Sequence, residues 1–448
     1  MKRLIDWHLL EWKKALHRKP LLLRGARQVG KTYAIRKLGE EFENFLEINF
    51  ELTPDAKKIF EKDLRPDRIL REIHLFSGEK ITPGKTLLFF DEIQEAPKAI
   101  QALRYFYEKI SDLHVIAAGS LLDFALEEIG IPVGRISSLY LYPLSFLEFL
   151  SAIGENHLIQ PLLEQNLAEP ISDIIHKKSL ALVGQYLAIG GMPEAVARWN
   201  ASQNPREIFQ VHHDLIEGYR QDFQKYAKKH QIKYLERLFT QIPRMVGEQF
   251  QYKNIDQDFK KRELSPCLDL LCKANIIHRI FHSPGQGIPL GAEINLNWFK
   301  LIFIDVALCQ AILGFDLSTW FLEPGLEFIN RGAISEAFIG QELLCYGQPS
   351  KKLDLYFWRR IQRGSSAEID YLHESEKKII PIEVKSGHNG RLKSMHLFLD
   401  THEETPYGIR FSAHNYSIRE NICSLPLYAV GALAHETQKE SLEQLYQE

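Results

Sequence analysis

The sequence predicts an α/β protein in three parts. Residues 1–150 should form a parallel sheet wrapped by helices, 151–325 a helical region with a winged-helix-like module, and 326–448 a second α/β unit. Three observations lead there. An apolar run at 21–23 enters a glycine loop and then a helical pattern, LLLRGARQVGKTYAIRKL. A second apolar run, LLFFDE at 87–92, ends in two acids. Beyond residue 350, AEIDYL and IIPIEVKSG alternate with period two, as half-buried strands do.

The glycine loop is the most specific of these. Gly25, Ala26, Arg27, Gln28, Val29, Gly30, Lys31 and Thr32 fit the phosphate-loop pattern G-x-x-x-x-G-K-[ST] at every position, with a strand before it and a helix after it. The glycines let the backbone wrap a polyphosphate with its N–H groups turned inward. Lys31 can reach the outer phosphates, Thr32 can place its hydroxyl on Mg²⁺, and the helix adds its positive end. ATP with Mg²⁺ is the expected cofactor. LLFFDE supplies the other half: Asp91 would hold Mg²⁺ with Thr32, and Glu92 would deprotonate the attacking water. An exposed Asp-Glu pair opening the next helix is the plainer alternative.

Apolar runs at 45–50, 114–119 and 137–141 complete a five-strand set with helical or loop connections. The strand between the phosphate loop and the acidic strand, with Glu beside Asp, resembles the AAA+ branch of the ATPases. That resemblance places Ser120 as the polar sensor near the γ-phosphate; an N-cap role is compatible with it. Arg135 precedes the fifth strand. It could be an arginine finger for a neighbouring subunit, a sensor of bound ATP, or a surface ion pair. Arg27 is a further basic candidate, unless it faces solvent.

Composition narrows the field. At 448 residues, 45% hydrophobic and 25% charged, the chain is ordinary globular material with room for about three domains. A formal charge of −3 gives nucleic-acid binding no global support, although a local basic groove is compatible with it. No secretory segment follows Met1, and no long apolar run predicts a membrane span. The five scattered cysteines match no zinc spacing and fit reduced thiols in the cytoplasm.

In the middle region, 205–245 has helical periodicity. Three helices, at 232–246, from Asn254, and from Ser265 with Pro266 in its first turn, precede strands at 276–281 and 299–304 around a glycine-rich wing, which is the outline of a winged helix. The third helix, SPCLDLLCKAN, is poor in DNA-reading side chains, so a connecting or protein-binding role is favoured.

The last part carries a second possible chemistry. Glu336 lies on a helical pattern, Asp370 on one strand, and Glu383 with Lys385 on another. Alternation puts Glu383 and Lys385 on one face, and likewise Glu368 and Asp370. Carboxylates so gathered would hold Mg²⁺ through Asp370 and Glu383, and Lys385 would help activate a water against a phosphodiester. The set resembles the PD-(D/E)XK nucleases, with Glu336 on the preceding helix and Ile369 in place of the usual proline. A strand at 353–358, a helix at 392–399 and a strand at 407–411 fit that superfamily's α-β-β-β-α-β order.

Taken with GS at 119–120, GRI at 134–136, PLSFLEF, GGMPEA and KLIFID, these motifs resemble the prokaryotic AAA-type ATPases that carry a C-terminal nuclease-like domain of unknown function. Relatives would have a glycine where Val306 stands. The resemblance implies ATP binding and leaves the partner open. DNA or RNA, a protein, and a second copy of the chain are the candidates; a membrane is not. Two functions remain: an ATPase controlling a metal-dependent nuclease, or an ATP-dependent switch whose C-terminal domain only binds.

Overall fold

The computed structural model describes residues 1–130, 134–314, 332–360, 367–375, 377–385 and 392–446. Helix α1 (Leu4–Lys14) precedes β1 (Leu21–Arg24), α2 (Lys31–Gly39), β2 (Asn44–Asn49), α3 (Pro66–Ser77), β3 (Thr86–Asp91), α4 (Pro97–Lys109), β4 (His114–Ala118), α5 (Leu122–Ile129) and β5 (Ser137–Tyr140). Among the described residues these strands make one sheet in the order β2-β3-β4-β1-β5, with every pairing parallel. The five expected strands therefore form where their apolar runs place them. Helices cover both faces, so β3, TLLFFD, is buried along its whole length. The loop after β1 and the ends of β3 and β4 meet at the carboxyl edge, where such sheets bind ligands.

Helices α6 (Phe146–Ala152), α7 (Asn156–Leu163), α8 (Asp173–Ile189), α9 (Pro193–Ser202), α10 (Pro205–Tyr226), α11 (Ile232–Gln241) and α12 (Lys261–Lys273) fill the middle of the chain. Strands β6 (Ile277–His282) and β7 (Asn295–Phe303), then α13 (Val306–Ile312) and α14 (Gly332–Cys345), follow. The chain continues as β8 (Leu355–Arg359), β9 (Glu368–Ser375), β10 (Lys378–Val384), α15 (Lys393–Thr401), β11 (Gly408–Ser412), β12 (Ser417–Arg419), β13 (Ile422–Pro426) and α16 (Glu436–Tyr446).

The second sheet is mixed and runs β12-β13-β11-β10-β9-β8-β6-β7 among the described residues. This corrects the separate winged helix expected in 151–325. The hairpin β6–β7 is the end of the C-terminal sheet, because β6 pairs in parallel with β8, setting Ile280 beside Leu355. A strand as buried as β6 must satisfy its backbone groups along both edges, and a free wing would leave one edge unpaired. The boundary expected at 325 thus falls between strands of one sheet. The helix expected from Asn254 is a single 3-10 turn, Tyr252–Asn254. Helix α12 starts ahead of Ser265, where the Glu263 side chain accepts from the Lys260 N–H at 2.9 Å, leaving Pro266 inside the helix.

The remaining motifs are connections. In PLSFLEF, Ser145 caps α6: its Oγ accepts from Glu148 N at 3.3 Å, and Glu148 accepts from Ser145 N at 2.8 Å. In GGMPEA, Gly191 N donates to Asp305 at 2.7 Å. Asp305, from KLIFID, also caps α13 by accepting from Ala307 and Leu308 N–H at 2.9 and 3.1 Å. With Asp305 as an extended cap, Val306 opens a helix and no glycine is needed there. Among the described residues no single helix is long and apolar enough to cross a membrane; α8 and α9 pass only as a pair bent by 118°.

Gly191 has no room for a side chain, since a Cβ would lie 2.2 Å from the Leu144 carbonyl oxygen and 2.7 Å from the Tyr186 hydroxyl. Gly191→Ala is expected to lower stability by about 1–3 kcal/mol in urea unfolding. Gly287→Ala, with open space around it, should stay within about 0.5 kcal/mol of wild type.

Candidate functional site

The loop between β1 and α2 is shaped by backbone that side chains rarely adopt. Gly25 has φ 146°, Gln28 64° and Gly30 99°. A Cβ at Gly25 would meet the Leu141 carbonyl oxygen at 2.2 Å, so the loop can lie against β5 only with glycine there. Lys31 is buried, and its Nζ donates to the carbonyls of Gly25 and Ala26 at 2.9 and 2.6 Å. Burial pulls its pKa down to about 8, against the attraction of Glu92 and Asp91.

Thr32 and the acidic strand meet as expected. The Thr32 hydroxyl donates to Asp91 at 3.2 and 3.4 Å, and Asn49 and the Glu92 N–H donate to the same carboxylate at 3.2 and 3.1 Å. Burial, then the charge of Glu92, pushes the Asp91 pKa up. Glu92 sits at φ 50°, a strained conformation for a non-glycine residue, and accepts from Gln94 at 2.6 Å. Ser120 lies just past β4, whose Ala118 is level with Leu23, so it reaches the same edge of the sheet.

The structure separates the alternatives left open for two arginines. Arg27 does not simply face solvent: it is ion-paired with buried Asp222 on α10, and Tyr219 donates to its carbonyl at 2.9 Å. Arg135 precedes β5, whose first residue, Ser137, is level with Leu21, whereas the phosphate loop follows Arg24. It therefore sits at the amino edge of the sheet, opposite its own loop, and pairs with Glu108 at 3.0 Å. A role in cis as a sensor of ATP does not fit this placement.

Sequence reasoning missed Arg3. Its guanidinium donates to the Val29 carbonyl in the phosphate loop at 2.9 Å, to the Tyr142 carbonyl at 2.7 Å and to Glu148 at 2.9 Å. Glu148 also accepts from Leu4 N at 2.6 Å. A lone arginine at the start of a chain carries no pattern; the capping box at 145–148 was the available signal. Beyond it, buried Glu342 on α14 accepts from Phe146 N with both oxygens at 3.0 Å. Burial pushes the Glu342 pKa up to about 8.

Of the residues expected to share one metal site, Glu336 and Asp370 lie beside Lys300, and Glu383 lies with Lys385. Lys300 from β7, fully buried, enters the group: its Nζ is 2.9 Å from Glu336, 2.5 Å from Glu368 and 3.7 Å from Asp370. Three carboxylates raise the Lys300 pKa, while burial raises that of Glu336, the most enclosed of the three. Glu383 turns to Lys385 at 2.5 Å, and Asp370 accepts from Val384 N at 2.8 Å. Among the described residues no group of three or more His, Cys, Asp or Glu is arranged to hold a metal ion. The signal for Lys300 was a lone charge inside the apolar strand WFKLIFI.

The nucleotide half fits its cofactor differently. A hydroxyl beside one buried carboxylate is the small oxygen set that Mg²⁺ uses when phosphates complete its shell. Lys31 on its own loop carbonyls holds an ammonium where phosphate oxygens would come.

Residues 17–150 match the family model of an AAA domain. Residues 180–319 and 331–430 match two models described as domains of unknown function, DUF8612 and DUF4143. No curated protein matches the chain. Among solved structures, the Walker-type ATPase PABY2304 of Pyrococcus abyssi is similar over 69% of this chain and 94% of its own, at 15% identity and TM-score 0.43. The S. cerevisiae Hsp104–ADP complex is similar over 60% of this chain and 38% of its own, at 11% identity and TM-score 0.28. The amino-terminal domain is of the AAA type, a P-loop ATPase class.

Arg3→Met would leave buried Glu148 with backbone donors alone. It is expected to lower stability by at least about 2 kcal/mol in urea unfolding. Amide exchange at Val29 and its neighbours should rise with it.

Proposed function

We propose that the chain is an ATP-dependent switch: its AAA-type domain binds and hydrolyses ATP with Mg²⁺, and its C-terminal domain holds a partner without cutting it. The observation that carries this reading is Lys300, whose buried ammonium group is drawn among Glu336, Glu368 and Asp370, so that two of the acids expected at the metal site face a lysine.

In the nucleotide site, the N–H groups of the loop from Gly25 to Thr32 would bind the phosphates, and Lys31 would swing from its carbonyl partners to the outer phosphate oxygens. Thr32 and Asp91 would hold Mg²⁺, which offsets phosphate charge when bound. Glu92 would take the proton of the attacking water, with Gln94 orienting its carboxylate and Ser120 facing the terminal phosphate. Arg3 and Glu148 would report the position of the loop to α6, and the Phe146–Glu342 contact would carry it to α14. Arg135, 44% exposed, is free of its own loop and suits a trans contact with a second copy; ATPase turnover should then rise with protein concentration.

The test is amide exchange in α14. ATP should change it in the wild type and leave it unchanged in Lys31→Ala, which should lose most ATP affinity. An unchanged α14 in ATP-saturated wild type would end the switch reading. Glu92→Gln should keep ATP affinity and slow hydrolysis by about 10²–10⁴-fold.

The nuclease reading keeps one observation: Asp370, Glu383 and Lys385 share one face of adjacent strands. It requires Mg²⁺- or Mn²⁺-dependent cleavage of DNA or RNA by the full chain that Lys385→Ala abolishes; we expect none.

Lys31 also sets a pH dependence. Its pKa is about 8 without nucleotide, and phosphate charge would raise it. Below that pH the ammonium group is already formed. Above it, binding must take up a proton, so ATP affinity should fall as pH rises past about 8. Calorimetry in buffers of different ionisation enthalpy should detect the uptake, and Lys31→Ala should remove it.

A further inference from the structure

A cavity of about 630 Å³ opens on the C-terminal sheet, and its lining includes neither Lys300 nor any residue of the phosphate loop. Its floor is a polar row set by strand register: Arg410 on β11 is level with Ser424 on β13, and Ser424 with Ser417 on β12, while Glu383 on β10 lies beside Arg410 outside the lining. Helix α15, which packs on β9 and β10, forms one wall, and Leu392 at its amino end lines the cavity. Arg410, Arg419, His396 and His414 all line it, with Glu420 as the acid at the rim.

Arg410 is the unusual member. It is half-buried, and its Nε and Nη2, shielded from solvent, have no hydrogen-bond partner among the described residues, although such donors are ordinarily spent on a carboxylate or carbonyl. The neighbouring carboxylate does not serve: Glu383 places Oε1 on Lys385 at 2.5 Å, and its Oε2 is buried with no partner among the described residues. A planar fork of donors, two imidazoles and flanking serine hydroxyls converge on a space of small-molecule size.

We propose that this cavity binds the phosphate group of a small phosphorylated molecule, with Arg410 as its principal ligand. The oxyanion satisfies the guanidinium donors, Arg419 adds positive charge, and His396 and His414 offer ring N–H donors. This inference is independent of the switch reading and holds whether or not the domain cleaves anything.

The test uses the full chain labelled on histidine and titrated with inorganic phosphate, with Lys31→Ala run in parallel to separate the cavity from the phosphate loop. The His396 and His414 ring signals, assigned from His396→Gln and His414→Gln, should shift and saturate together in both backgrounds. Arg410→Gln should weaken that binding by at least about tenfold. Glu383→Gln should strengthen it, because it removes the carboxylate beside Arg410; a residue that merely paired with Glu383 would show no such gain. A nucleoside 5′-monophosphate binding more tightly than inorganic phosphate at the same signals would name a nucleotide as the source, and equal binding would name free phosphate. Unmoved histidine signals, or shifts that persist unchanged in Arg410→Gln, would overturn the proposal.

Discussion

The Arg3 guanidinium is the point on which the two halves of the molecule depend. It holds the carbonyl of Val29 in the phosphate loop, the carbonyl of Tyr142 after the last strand of the first sheet, and the carboxylate of Glu148 on α6. All of this happens out of water, with Arg3 6% and Glu148 2% exposed. A buried ion pair of this kind adds little net stability, because desolvation offsets much of the attraction. It gains in specificity, since every donor has one geometry in which it is satisfied and loses heavily in any other. The loop, the strand end and α6 are thereby held to one relative arrangement.

The same logic continues into the second half. Glu342 takes the free N–H of Phe146 at the start of α6, and six residues earlier on the same helix Glu336 takes Lys300. At a helical rise of 1.5 Å per residue these two carboxylates are about 9 Å apart along one rigid element. Helix α14 is buried along nearly all of its length, so it cannot shift at one end without disturbing the other. Asp305 makes a second tie, joining the Gly190–Gly191 turn to the cap of α13. Polar contacts at helix ends, rather than a large apolar seam alone, set how the ATPase domain meets the C-terminal sheet.

Much of the first domain was legible because its signals are local. A strand, a glycine loop and a helix follow within eighteen residues at 21–38, and the backbone conformations at Gly25 and Gly30 are those the pattern requires. Asp91 and Glu92 end a strand that is apolar because it is covered on both faces. In the C-terminal part, alternation located β9 and β10 and placed Asp370 and Glu383 on a common face. The winged helix was misread for a reason of the same kind: three helices and a hairpin have one local pattern whether the hairpin stands free or joins a distant sheet. Only the pairing of Ile280 with Leu355 distinguishes the two.

By itself the sequence determined the phosphate loop, the acidic strand beside it and the alternation of the C-terminal strands, because each follows from residues a few positions apart. The tertiary structure decided what those residues meet. Lys300 reaches Glu336, Glu368 and Asp370 from a strand up to 70 positions away, and Arg3 reaches Glu148 across 145. Arg135 lies at the amino edge of the sheet because strand direction, not nearness in sequence, sets which ends share an edge. Charge neutralisation in the buried acid cluster is a property of the assembled sheet, since an ammonium group satisfies carboxylates only where folding brings them within hydrogen-bond reach.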